Sequence, residues 1–320
     1  MHHDSDNVGE AQNMKQKNKR GHLRSLSSAF GGLLLASVLG APLVVGAQLN
    51  EKVMPASGPL SKQAMTRLLL TDSARFGNRI VAVGDRGYIV YSDSNGETWE
   101  RAQTPPTSPL LTAVFFQDAK NGWAVGHDSV ILNSNDEGKT WTQKFSAPAD
   151  QKPLMDILFT DANNGFAVGA YGLCYETADG GKTWNPRKLT AAAPKPAPAK
   201  KGKAASLGAG DGKGGGDDDK HLNAIIRIGE SKLLIVGEAG TILKSDDAGK
   251  TWTSVASPYK GSYFGAIQAK DGSVLIYGLR GKIFRASDAS LRDWKAIDNK
   301  SVASIMGSTM MPDNTLVLAG

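Results

Sequence analysis

The chain has 320 residues, 37 Lys and Arg against 31 Asp and Glu, a formal charge of +6 and 40% hydrophobic residues, which is ample apolar material for a large folded core. Its basic residues are scattered over the sequence without a stripe interleaved with aromatics, so nucleic-acid binding has no support. Cys174 is the one cysteine, which excludes an internal disulfide and a Cys-pair metal site.

A polar start leads to Lys15, Lys17, Lys19, Arg20 and Arg24, and then to an uncharged run over residues 25–50. Leu33, Leu34, Leu35, Val38 and Leu39 form its apolar centre, and Val45-Gly46-Ala47 offers a small-residue cleavage site. This order predicts a signal peptide over residues 1–47, cleaved after Ala47, and hence an exported, periplasmic protein. Met14 is an alternative start. An uncleaved N-terminal membrane anchor is the rival reading, and Gly31, Gly32, Gly40 and Pro42 make the run a poor one. The first 47 residues carry five basic and three acidic residues, which leaves about +4 on the rest. Residues 48–65 read as a linker or closing strand before a repeated domain over 66–320.

From there a landmark recurs, Val-Gly or Tyr-Gly after an apolar run, at Gly84, Gly126, Gly169, Gly237, Gly278 and the terminal Gly320. The spacings are 42, 43, 68, 41 and 42 residues. A second landmark, Ser-x-Asp-x-Gly-x-Thr-Trp, falls over residues 92–99, 134–141, 177–184 and 245–252, with a degenerate copy at 286–294. The first copy has Ser94 where Asp is expected and Asp93 one place early; the third begins with Thr177. In the second repeat four short strands are predicted, over residues 110–117, 122–126, 130–133 and 140–145. The strand before each Val-Gly is apolar at consecutive positions and needs cover on both faces. Four-stranded sheets stacked around an axis supply that cover, so the fold class is all-β, a β-propeller of four-stranded blades, with five complete repeats and the start of a sixth.

In the repeated phrase an Asp accepts amide hydrogen bonds of a tight turn, a Gly takes the positive-φ position, and a Trp begins the outer strand against the neighbouring sheet. Asp93, Asp136, Asp179, Asp247 and Asp288, with Trp99, Trp141, Trp184, Trp252 and Trp294, are accordingly assigned structural roles. The tips of the Gly-x-x-Gly turns differ from repeat to repeat, and antiparallel order puts them on the face opposite the Asp phrases. Arg86, His127, Asp128, Tyr171, Glu238 and Arg280 on those tips form the candidate binding face.

At these residues the chain resembles the Asp-box, or bacterial neuraminidase repeat, propellers. The stretches over residues 121–126 and 177–184, Asn-Gly-Trp-Ala-Val-Gly and Thr-Ala-Asp-Gly-Gly-Lys-Thr-Trp, are most similar to the photosystem II assembly and stability factor branch. The resemblance runs from about residue 68 to 320. It implies a seven-bladed ring, against five complete repeats and the start of a sixth here, so the expectation is a C-terminally truncated part of such a ring, with an unusual closure as the alternative. It also implies an exported factor that binds a membrane-protein complex or its assembly intermediate, in the thylakoid lumen if the organism is photosynthetic, without a cofactor.

The long interval holds a low-complexity segment over residues 191–220, rich in Ala, Pro, Lys and Gly, with too little apolar bulk to order itself. Asp211, Asp217, Asp218 and Asp219 make an unpatterned set that does not match a calcium loop. The five histidines show no metal-ligand spacing, so no metal is expected. Cys174, in Leu-Cys-Tyr, reads as a buried inert thiol.

Sialidases share the Asp-box, so glycoside cleavage is a competing reading. Tyr171, Glu238 and Asp128 with Arg86 and Arg280 supply the residue types but not the pattern: no Arg-Ile-Pro element precedes the first repeat. The expectation is a non-catalytic assembly or stability scaffold. A sialidase-like glycoside hydrolase and an accessory of a membrane exporter or other envelope complex are the alternatives.

Overall fold

A strand such as Gly165–Gly169 offers water no polar side chain, and in the computed structural model all five of its residues are buried. The same holds for Gly122–Gly126, Leu233–Gly237 and Val274–Gly278. The structure describes residues 57–103, 107–192 and 219–320, all within one compact unit. The predicted leader over 1–47 and the interval from 193 to 218 lie outside the described residues.

Five sheets follow one another, each an antiparallel meander. The first is built from Leu70–Phe76, Arg79–Gly84, Ile89–Ser92 and Trp99–Arg101, and the second from Leu111–Phe116, Gly122–Gly126, Ile131–Ser134 and Thr142–Phe145. The third has Leu154–Phe159, Gly165–Gly169, Cys174–Thr177 and Asn185–Pro186; its last strand is short because Pro186 has no N–H for the ladder. The fourth has Leu222–Arg227, Leu233–Gly237, Ile242–Ser245 and Trp252–Ser254, the fifth Tyr263–Gln268, Val274–Gly278, Ile283–Ala286 and Trp294–Ile297. A hairpin of Gly307–Met310 and Leu316–Ala319 opens the next unit. The first strands of successive sheets adjoin one another, so they line the axis and the later strands fan outward. The fold is a β-propeller, and each junction between blades has its own apolar cluster, for example Val83, Ile89, Leu111 and Leu132 between the first and second.

Two outer edges carry added strands. Gly58–Leu60 pairs antiparallel with Trp99–Arg101, within the stretch read as a linker or closing strand. Ala191–Ala192 pairs parallel with Trp252 and Thr253. The segment read as unstructured from residue 191 therefore begins with a strand, because main-chain pairing to a sheet edge asks nothing of the side chains.

The Asp-box turns join third to fourth strands. Asp179 accepts from the Thr177 hydroxyl at 2.8 Å, the Thr183 amide at 2.9 Å and the Thr183 hydroxyl at 2.7 Å. Asp136 and Asp247 repeat this pattern with Ser134 and Thr140, and with Ser245 and Thr251. In the first copy Asp93 does not take the box seat. Ser94 holds it, bonding Thr98 at both amide and hydroxyl, and Asp93 turns to Arg79 with oxygens at 2.6 and 2.5 Å. Arg79 also reaches the Glu137 carboxylate of the second blade at 3.2 Å, so this ion pair ties two blades. Asp288 keeps one amide bond, from Ser290 at 2.7 Å.

The box tryptophans pack on the preceding blade. Trp184 meets Trp123 edge-on at 5.8 Å between ring centres and Trp252 meets Phe166 at 6.4 Å, while Trp141 meets Phe116 of its own blade at 6.1 Å within the cluster that holds Val81 and Val83 of the first. Trp99 and Trp294 are half-buried. Gly181 serves twice: its φ of +76° suits the turn, and a Cβ there would stand 2.0 Å from the Trp123 ring.

Gly169 has a different reason for being glycine. Its backbone is extended, yet a Cβ would lie 2.2 Å from the Pro153 carbonyl oxygen. Gly169→Ala should therefore cost about 2–3 kcal/mol of unfolding free energy. Gly307→Ala, with nothing within 4 Å of the added carbon, should stay within about 0.5 kcal/mol. Denaturant unfolding of both variants checks this, and equal losses would remove the close approach as the cause.

Candidate functional site

Each second strand turns into the third through a two-residue hairpin. In the first, the Tyr88 amide donates to the Asp85 carbonyl at 3.0 Å, and Arg86 and Gly87 between them have φ of 54° and 68°. Asp128–Ser129, Tyr171–Gly172, Ala239–Gly240 and Arg280–Gly281 adopt the same left-handed pair, the type I′ turn that matches strand twist. Ser129 replaces the expected glycine at φ 52° and is held by its own hydroxyl, which donates to the Lys152 carbonyl at 2.9 Å.

Main-chain bonds fix these tips. The amides of Asp85, His127, Ala170, Glu238 and Leu279 donate to Leu69, Leu110, Pro153, His221 and Ser262, each the residue before its own blade's first strand, at 2.8–3.0 Å. Further bonds run to the next blade: Ser129 to Lys152 at 2.9 Å, Gly172 to Lys220 at 2.8 Å and Gly240 to Gly261 at 2.8 Å. The tips thus share one face with the connections between blades, and the Asp-boxes occupy the other.

On that face Arg86 is exposed beside the Asp85 carboxylate at 3.6 Å, and Arg280 is exposed on the fifth blade. His127 is exposed, while Asp128 is half-buried and its carbonyl accepts from the Ala147 amide at 2.9 Å. Tyr171 and Glu238 come together around His221. The Tyr171 ring, 53% exposed, meets the imidazole edge-on at 4.9 Å, and the Glu238 carboxylate accepts from the His221 amide at 3.2 Å. Between the third and fourth blades on this side lies a cavity of about 630 Å³ reached past Tyr171 and Lys220.

Two aspartates outside the predicted set face the axis. Asp72 accepts from the amides of Ser73 and of Val114 in the next blade, both at 2.8 Å. Asp156 accepts likewise from Ile157 and from Ile225 of the fourth blade, both at 2.8 Å. Burial pushes Asp72 up to about 6 against these amides. Burial, with the Asp72 charge adding to it, pushes Asp156 up to about 7. Both keep some contact with water although protein surrounds them, as side chains lining an axial channel do. The signal was present in the sequence: Asp156 is the one charge in the apolar strand Leu154–Phe159.

Cys174 is buried, and that burial pushes its thiol up to about 12. Among the described residues no group of three or more His, Cys, Asp and Glu is placed to hold a metal, and no helix is long and apolar enough to cross a membrane.

The two kinds of aspartate pull stability in opposite directions. Thr183 donors hold Asp179 down to about 2; for Asp247, Thr251 and Ser245 donors overcome desolvation to the same end. Their contribution is present above the ordinary value of 3.8 and is lost as pH falls toward 2. Asp72 and Asp156 bind protons more tightly folded than unfolded, so stability falls as pH rises from about 4 through 7. Asp156→Asn should flatten that decline by on the order of 2 kcal/mol in unfolding measured across the pH series. An unchanged slope would show that Asp156 is not the group titrating.

The family model described as photosynthesis system II assembly factor YCF48 matches residues 144–197. Among solved structures, YCF48 from Cyanidioschyzon merolae is 17% identical, covers 79% of each chain and has a TM-score of 0.56. YCF48 bound to a D1 peptide is 15% identical over 76% of this chain and 70% of that one, with a TM-score of 0.52. An ancestral GH74 enzyme is 12% identical over 72% of this chain and 31% of its own, also at 0.52. At such identities the likeness is one of fold. No curated protein matches the chain.

Proposed function

We propose that this propeller is an exported, non-catalytic scaffold that binds a protein partner, a membrane-protein complex or its assembly intermediate, in the manner of the photosystem II assembly factors it resembles. The observation that carries the reading is the tip face. Arg86, Asp128, Tyr171, Ala239 and Arg280 share one backbone pose and differ in chemistry, which is how a rigid frame presents a surface for recognition. That a YCF48 propeller binds a D1 peptide supports a protein partner in general. The basic and apolar leader supports export to the periplasm, or to the thylakoid lumen in a photosynthetic cell.

The residue types that suit glycoside cleavage are spread over five blades. Tyr171 turns to His221 and Glu238 to a main-chain amide, so neither is posed against a general acid. Capture on the immobilised full chain should retain defined membrane-protein subunits, and Tyr171→Ala with Arg86→Ala should reduce retention about tenfold or more. Failure to retain protein, together with turnover of a fluorogenic glycoside that vanishes in Arg86→Ala, would reverse the reading. Retention of exporter components alone would move the partner to a transport complex.

A further inference from the structure

The face that carries the tips also carries most of the uncovered apolar surface. Among the described residues, the exposed large apolar side chains Leu69, Leu70, Tyr171, Ile297, Val302 and Met306 lie at the tips, at the strand ends beside them or on the connections between blades. Met311 and Val317 lie elsewhere. Three of the first group, Ile297, Val302 and Met306, belong to one stretch, which runs from the last strand of the fifth blade to the hairpin that opens at Gly307.

That stretch is held by polar groups, which leave its apolar side chains outside. Asp298 accepts from the Lys300 amide at 3.0 Å, Asn299 from the Ser301 amide at 3.1 Å, and the Ser301 hydroxyl from the Ala303 amide at 3.1 Å. The Ile305 amide donates to the Gly278 carbonyl at 3.0 Å and the Arg280 amide to the Ser304 hydroxyl at 3.3 Å, so the stretch is fastened to the fifth tip. Between these bonds Val302 stands 86% exposed and Met306 61%. One exposed valine would need no account; a group of them on one fastened stretch marks a surface that is covered from outside.

The surroundings are basic. The fifth tip and its two flanking connections, residues 255–262, 279–282 and 297–306, hold Lys260, Arg280, Lys282 and Lys300 against Asp298 alone, all of them exposed. Lys300 pairs with Asp298, and Glu238 on the neighbouring fourth tip accepts from the His221 amide. Aliphatic groups on projecting turns, ringed by long cations, match a partner that is apolar beneath an anionic layer. The aliphatic groups enter it, and the cations stay at its boundary.

We infer that the fifth tip and the connection after it form a docking patch for an anionic lipid surface, with Val302 and Met306 set into the headgroup boundary and Lys260, Arg280 and Lys282 against the phosphates. The inference goes beyond the scaffold reading and does not rest on it, since it needs no protein partner.

The chain beginning at Gln48 is the form to test, because the basic and apolar leader would bind lipid by itself, and it keeps the whole compact unit Val53–Gly320. It should co-sediment with vesicles of phosphatidylglycerol and phosphatidylcholine in equal parts, come off as salt rises from about 0.05 to 0.5 M, and stay free beside vesicles of phosphatidylcholine alone. Lys260→Gln with Arg280→Gln should weaken the partition about tenfold or more, at on the order of fivefold per charge. Val302→Asp should weaken it about tenfold, with the unfolding midpoint in place. Lys120→Gln with Lys182→Gln, on exposed turns of the Asp-box face, should leave it unchanged. Val302→Trp should tighten it about threefold or more and become quenched by brominated lipid, whereas Met311→Trp, on the Asp-box side, should do neither.

Equal partition onto neutral vesicles, indifference to the Val302 and Lys260–Arg280 changes, or an equal response to the Asp-box-face changes overturns the assignment. Absence of vesicle binding overturns it as well, and loss of membrane-protein retention in Val302→Asp would then give the patch to a protein partner. Vesicle binding with these sensitivities and no retained membrane protein sinks the scaffold reading and leaves the lipid patch assigned.

Discussion

Six times in this chain a carbonyl oxygen occupies the space that a side chain would need. A Cβ built on Gly84, Gly126, Gly169, Gly237 or Gly278 would stand 2.0–2.3 Å from the oxygen of the residue preceding the blade's first strand, and one on Gly320 would stand 1.8 Å from the oxygen of Ser304, just ahead of Gly307–Met310. That contact brings the end of the second strand onto the start of the first, and in five of the six the next amide then donates to the same oxygen. The hairpin beyond is therefore aimed by main chain alone. Left-handed φ at Arg86, Asp128, Tyr171, Ala239 and Arg280 costs about 1–2 kcal/mol per residue, and the bonds on either side offset it. Apart from the Ser129 hydroxyl and the Glu238 carboxylate, main-chain bonds hold these turns, so the tip side chains can differ and a recognition surface can change without disturbing the frame beneath it.

The opposite face is constrained in the other way. There the side chains are the frame, and the first copy of the Asp-box shows which of their properties counts. Ser94 takes the seat of the aspartate and still bonds the Thr98 amide at 2.7 Å, so the turn requires an acceptor at that point and not a charge. The displaced Asp93 is then available to Arg79, whose other contacts reach Glu137 in the next blade. Acidic residues repeated around this face are thus accounted for by turn and junction bonding.

Most of the architecture was legible because it is written in spacing. A period near 42 residues with two landmarks fixes the number of sheets, their strand order and which turns share a face, and the second strand Gly122–Gly126 falls where its apolar run puts it. The parallel strand Ala191–Ala192 was not legible, since a main-chain pairing leaves no mark in a run of alanine and proline. Asp156 carried a visible mark, a lone charge in an inner strand, whereas Asp72 shares its strand with Arg75; the purpose of both depends on the amides of Ile225 and Val114, some 69 and 42 positions away in the chain. The cavity was the least readable feature. It arises only when Cys174, Arg187 and Leu243 are compared with their counterparts across a junction, and each alone is an ordinary strand residue.

A stack of like units can carry such a defect because each junction is stabilised on its own. The cluster between the third and fourth blades still buries Leu158, Phe166, Val168, Ile225, Leu233 and Trp252. Near the axis the Ile225 amide is fixed to Asp156, and on the Asp-box side Arg227 of the fourth blade donates to the Phe159 carbonyl at 3.1 Å. The junction is thus closed at the axis and along the Asp-box side and open only where the tips and blade connections lie. Filling the opening as Ile131, Phe145 and Tyr175 fill the second junction would bury more apolar surface, at about 25 cal/mol per Å². A sequence that forgoes that gain at one junction, while keeping the bonds that hold the two blades in register, changes the packing there without moving the blades apart.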